Sequence, residues 1–121
     1  MINVALILDP AFGDRLSGIA AEMPIWVLSS SNNAAGIRRA RQRFPDQEIT
    51  ELLPRDLESR ANLLARALLD IDEHFGPDSS SDPYQAVWVY GAKSADVSTE
   101  LAAECGFRAI EQKSDGFVAR K

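Results

Sequence analysis

Two carboxylates, Asp9 and Asp14, follow the apolar run Ile2–Leu8, with Phe12 and Gly13 between them. At the carboxyl end of a strand in a parallel sheet, where such folds place their ligands, a pair of this kind could ligate a metal or move protons. A second group, Tyr90-Gly91-Ala92-Lys93-Ser94, follows the apolar run Ala86–Tyr90. An ammonium group and the amides of a strand-to-helix turn suit a phosphate. The candidate ligand-binding set is therefore Asp9, Phe12, Asp14, Tyr90, Lys93 and Ser94. No catalytic set, metal set or cofactor is expected.

Each group also has a structural role that accounts for its residue types. Asp9 before Pro10 suits a turn, and Asp14 suits the positive end of a helix dipole. The Tyr90–Ser94 segment has neither the Gly-x-x-x-x-Gly-Lys-Ser/Thr spacing of a phosphate loop nor the Gly-x-Gly-x-x-Gly of a dinucleotide turn. A phosphoacceptor aspartate belongs directly at the end of the third strand, but Leu53-Pro54-Arg55-Asp56 stands there, and Asp56 suits a helix cap. One His and one Cys leave no material for a zinc centre. His74 lies in the last turn of a long helical pattern, where an imidazole is favoured beside free carbonyls. Cys105 lies on an apolar helix face and reads as an inert, buried thiol. Trp26 and Trp88 fall inside strands and read as core, whereas Tyr84, beside the polar stretch Asp78–Pro83, reads as exposed.

Composition narrows the classes. The 121 residues suit one domain, long enough to bury roughly two-thirds of its unfolded surface without a metal or disulfide. A net charge of −5 argues against a nucleic-acid surface, and Arg38, Arg39, Arg41 and Arg43 read as a solvated helix face. No run approaches the ~20 apolar residues of a membrane span. Ile2–Leu8 lacks a basic flank and reads as a strand rather than a leader, and a lone cysteine suits the reducing cytoplasm.

The elements that would carry these groups follow from periodicity. Ile2–Leu8, Ile25–Ser29 and Ala86–Tyr90 are continuous apolar runs, as in strands buried on both faces. Glu48–Leu53 reads as an edge strand. Helical patterns cover Gly13–Glu22, Ala34–Phe44 (capped by Asn33), Leu57–Phe75 (capped by Asp56, stopped by Gly76-Pro77) and Ala95–Cys105 (capped by Ser94). Asp115-Gly116 turns a terminal hairpin between 107–112 and 117–120. The expected fold is α/β: three layers, a mainly parallel sheet of about five strands with helices on both faces, and a C-terminal antiparallel hairpin strand. The most apolar strands, the first and fourth, are expected side by side at its centre.

Leu8-Asp9-Pro10-Ala11-Phe12-Gly13-Asp14-Arg15-Leu16, Pro24-Ile25-Trp26-Val27, Asp70–Gly76, Asp82-Pro83-Tyr84 and the paired Gly106-Phe107 and Gly116-Phe117 together resemble a set of small bacterial α/β proteins of no known activity. The resemblance implies that Asp9, His74 and Tyr84 belong to a shared pattern, and it supplies no function. The first functional expectation is a non-enzymatic cytoplasmic module that binds a protein partner. The alternatives are a small-ligand or nucleotide site at the carboxyl ends of strands 1 and 4, and a structural homo-oligomer joined by a sheet edge or the hairpin.

Overall fold

The computed structural model describes residues 2–8, 23–28, 34–75 and 84–121. Six strands form one mixed sheet: β1 (Ile2–Ile7), β2 (Ile25–Leu28), β3 (Ile49–Leu52), β4 (Tyr84–Tyr90), β5 (Ala109–Gln112) and β6 (Gly116–Arg120). Among the described residues there are three α-helices: α1 (Ala34–Arg43), α2 (Arg60–His74) and α3 (Thr99–Cys105). The helix expected over Gly13–Glu22 lies outside the described residues.

The strand order is β3-β2-β1-β4-β6-β5, so β1 and β4 do lie side by side at the centre. The β3-β2-β1-β4 half is parallel, while β6 runs antiparallel to both β4 and β5. The sheet is thus mixed, with six strands, because both arms of the hairpin join it: five run one way and β6 runs against them. Its edges are β3, as expected, and β5.

Continuous apolar strands make sense once the core is divided. Val4 and Leu6 of β1 join Val87 and Val89 of β4 in a cluster with Leu64, Leu68 and Ile71 of α2 and Leu101 and Cys105 of α3. The alternate residues Ala5 and Ile7 join Ile25, Val27 and Tyr90 in a second cluster with Ile37 and Ala40 of α1. Successive side chains of a strand point to opposite faces, so β1 must be apolar at every position.

Three local expectations are corrected. Ser59, not Asp56, caps α2: its Oγ accepts the Asn62 amide at 3.1 Å. Leu57 has φ +60°, which an α-helix does not admit, so the helix starts beyond it. Ser98, not Ser94, caps α3, with its Oγ accepting the Leu101 amide; a separate 3₁₀ turn occupies Ser94–Asp96. Gly106 ends α3 in the left-handed conformation. The third correction is Tyr84, which is 2% exposed. Its ring packs against Phe75 and Phe107, and its hydroxyl donates to Asp72 Oδ1 at 2.6 Å. A neighbouring polar stretch does not expose a residue whose own strand sits inside the sheet.

Candidate functional site

Chain direction sets where a ligand crevice can form. From β1 the sheet grows through β2 to β3, then crosses back to place β4 on the other side of β1. The β1–β4 seam is the point of reversal, and open α/β sheets bind ligands outside the carboxyl ends of strands at such a point. Leu8 donates its amide to the Tyr90 carbonyl at 2.8 Å and so keeps the seam closed to its last residue. Asp9, Phe12 and Asp14, expected beyond that point, lie outside the described residues.

Tyr90 ends β4, with its ring largely buried and its hydroxyl pKa pushed up by burial and then by the Asp115 charge. The chain then turns at Gly91, whose φ of +90° suits glycine. Four backbone groups of this turn are bonded within the chain. The Gly91 amide donates to the Asp115 carbonyl and the Gly91 carbonyl accepts from Arg60 Nη1 at 2.6 Å. The Lys93 amide donates to Asp96 Oδ2 and the Ser94 amide to Gln112 Oε1, both at 3.0 Å. Lys93 is exposed and Ser94 half-buried.

The β5–β6 turn closes on the same strand end. Gln112 Nε2 donates to the carbonyls of Lys113 and Gly116, and the Lys113 amide donates to Gly116. Gly116 packs so tightly that a Cβ there would lie 1.8 Å from the Val89 carbonyl oxygen. Between this turn and β4 lies an open concavity of about 200 Å³, lined by Trp88, Tyr90, Lys113, Asp115, Gly116 and Val118 among others. Of the three sequence candidates among the described residues, Tyr90 lines it, and Lys93 and Ser94 do not. Trp88 and the hairpin turn were invisible as site residues because their meeting depends on β6 pairing with β4, a contact distant in sequence.

A second feature stands between β3 and α2. Leu53 is 68% exposed and Leu57 is fully exposed. Their loop is pinned by one side chain. Arg66 donates to Glu58 through Nε at 2.9 Å and Nη2 at 2.8 Å, and Nη2 also donates to the Leu53 carbonyl at 2.7 Å. Glu58 Oε1 in turn accepts the Arg55 amide at 3.0 Å. The paired groups are mostly shielded, with 19% of the Arg66 side chain and 9% of Glu58 exposed. A shallow groove of about 580 Å³ runs alongside, lined by Arg55, Asn62, Leu69 and Asp70 among others.

Two further groups singled out by the sequence, His74 and Cys105, lie in packed surroundings. His74 packs its ring on Trp26 and Phe75. Cys105 is buried, and burial is the main cause that raises its thiol pKa from 9.0 to about 11, the opposite of an activated nucleophile. Among the described residues, no three His, Cys, Asp or Glu side chains converge as metal ligands. No described helix is long and apolar enough to cross a membrane. No family model, curated protein or solved structure matches the chain.

Proposed function

We propose that this protein is a non-enzymatic module that binds a protein partner through the Leu53–Glu58 loop. The observation that carries the reading is Leu57. A leucine at φ +60° is disfavoured by about 1 kcal/mol or more, and full exposure returns nothing by burial. Strained backbone held in place by surrounding structure marks functional positions more often than chance, and here Arg66 and Glu58 do the holding. An exposed apolar side chain on a pinned loop lowers the ordering cost of association, which suits an anchor entering a partner's pocket. The scaffold behind it we read as a three-layer, Rossmann-like sheet, supported by the two core clusters on alternate residues of β1. The resemblance to small bacterial proteins and a cytoplasmic setting belong to the same proposal.

The test is photocrosslinking in native lysate from position 57, with the exposed position 104 as control. The expected result is a discrete adduct from position 57 alone, lost when an untagged wild-type competitor is added and retained when the competitor carries Leu57→Asn. Asn tolerates the left-handed region, so that variant should match wild-type stability or exceed it by up to about 1 kcal/mol in urea unfolding. Equal adducts from both positions, or none, would overturn the reading.

A further inference from the structure

We propose that the concavity between β4 and the β5–β6 turn binds a compact organic cation of the alkylammonium class. It shares no lining residue with the groove beside the Leu57 loop and does not depend on the partner-binding reading.

The place is favourable on topology, since β4 borders the reversal point of the sheet and the concavity lies at its carboxyl end. The chemistry comes from what lines it. Trp88 and Tyr90, two residues apart on β4 and so on one face of the sheet, line one wall, with the fully buried Val118 of β6, paired with Trp88, behind them. Aromatic faces carry negative potential and attract cations, quaternary ammonium groups above all. Asp115 supplies a carboxylate on the rim, and no hydrogen bond or ion pair engages that carboxylate among the described residues.

Of the nearby cations, Lys113 lines the concavity and pairs with Glu111 on the exposed surface, while Arg60 lies outside it. Lys113 Nζ lies 2.9 Å from Glu111, whose other oxygen faces Arg120 at 3.8 Å, and Arg60 is turned onto the Gly91 carbonyl outside the lining. The net field of a chain with charge −5 has the same sign as Asp115. An anion would therefore meet a rim carboxylate with its countercharge engaged elsewhere. Size adds a limit: about 200 Å³ is below the roughly 300–1,000 Å³ of drug-sized pockets, which leaves room for a small ammonium ion and little more. The walls are fixed, because Gly116 is pressed against Val89 and Gly91 is bonded to Asp115.

The experiment titrates the ¹⁵N-labelled full chain with choline chloride, following the Trp88 indole and Gly116 amide resonances by NMR. Sodium chloride at equal ionic strength and 3,3-dimethylbutan-1-ol, the uncharged counterpart of choline, serve as controls. Choline is expected to shift both resonances saturably, with a dissociation constant in the millimolar range, and the alcohol is expected not to. Asp115→Asn keeps an Asn-Gly turn that hairpins favour, so it should fold, and it should weaken choline binding about tenfold or more. An equal response to the alcohol, undiminished binding by Asp115→Asn, or the absence of a saturable shift at millimolar choline would each overturn the proposal.

Discussion

Asp72 joins three parts of the chain through one oxygen. Its Oδ1 accepts from the Tyr84 hydroxyl at 2.6 Å and from Lys121 Nζ at 2.7 Å, tying the last turns of α2 to the start of β4 and the residue after β6. Lys121 Nζ also lies 4.1 Å from the centre of the Tyr84 ring. Burial, then the bond to Asp72, holds the Tyr84 hydroxyl well above the usual tyrosine range, so it stays a neutral donor at any ordinary pH. Asp72→Ala strands that donor in the core, at a cost of about 1–3 kcal/mol, whereas Tyr84→Phe removes donor and need together and should cost less. Urea unfolding of the two variants checks the order; a Tyr84→Phe loss equal to or larger than that of Asp72→Ala would show that the hydroxyl contributes in some other way. None of this was legible in the sequence. Tyr84 and Asp72 are twelve residues apart on two elements, and Asp78–Pro83 suggested exposure for a side chain whose surroundings come from Phe75 and Phe107. Cys105 was legible, because its setting is its own helix face.

At the scale of elements, the loop entering α2 depends on a charge pair. The Arg66 hydrogen bond, then the Arg55 amide, draws the Glu58 carboxyl from its usual 4.5 down to about 2. A folded-state pKa below the unfolded one means that the pair stabilises the fold above about pH 4.5 and that this contribution is lost as pH falls towards 2. Glu111 is also lowered, chiefly by Lys113, so the wild type loses stability in that range from two places. Glu58→Gln should therefore be less stable than wild type at pH 7 and should lose less between pH 4.5 and 2, with the two melting temperatures converging in acid. Parallel slopes across that window would separate Glu58 from the loop's stability. Periodicity located the three helices of the described residues but misplaced two of their starts. Leu57 lies seven residues before Leu64, as a helical face requires, and Asp56 and Ser59 are both good caps, so spacing alone favoured the longer helix. The choice was made by Arg66 reaching back to Glu58 and Leu53, a contact that no local pattern encodes.

At the scale of the whole molecule, the sheet's centre and its β3 edge were legible, and its hairpin end was not. The most apolar strands, β1 and β4, had to be shielded on both faces, so their adjacency followed from composition. How far the hairpin extends the sheet is decided by β6 pairing along five residues of β4, and that follows from antiparallel register rather than from the hairpin's own residues. Among the described residues the sheet ends in two edge strands, each only four residues long. On β3, Glu51 is exposed and faces Arg41 at 3.7 Å. On β5, Glu111 is exposed between Lys113 and Arg120. Short, charged edges resist strand addition, because a pairing strand would have to desolvate or displace these ions. The exposed leucines lie outside both edge strands, in the loop and on α2. The isolated chain is accordingly expected to sediment as a monomer across a wide concentration range at moderate salt. Replacing Glu111 with Val should remove the edge charge and promote concentration-dependent association. Wild-type dimers that persist at low concentration and are unaffected by Glu111→Val would place self-association on a surface other than the β5 edge.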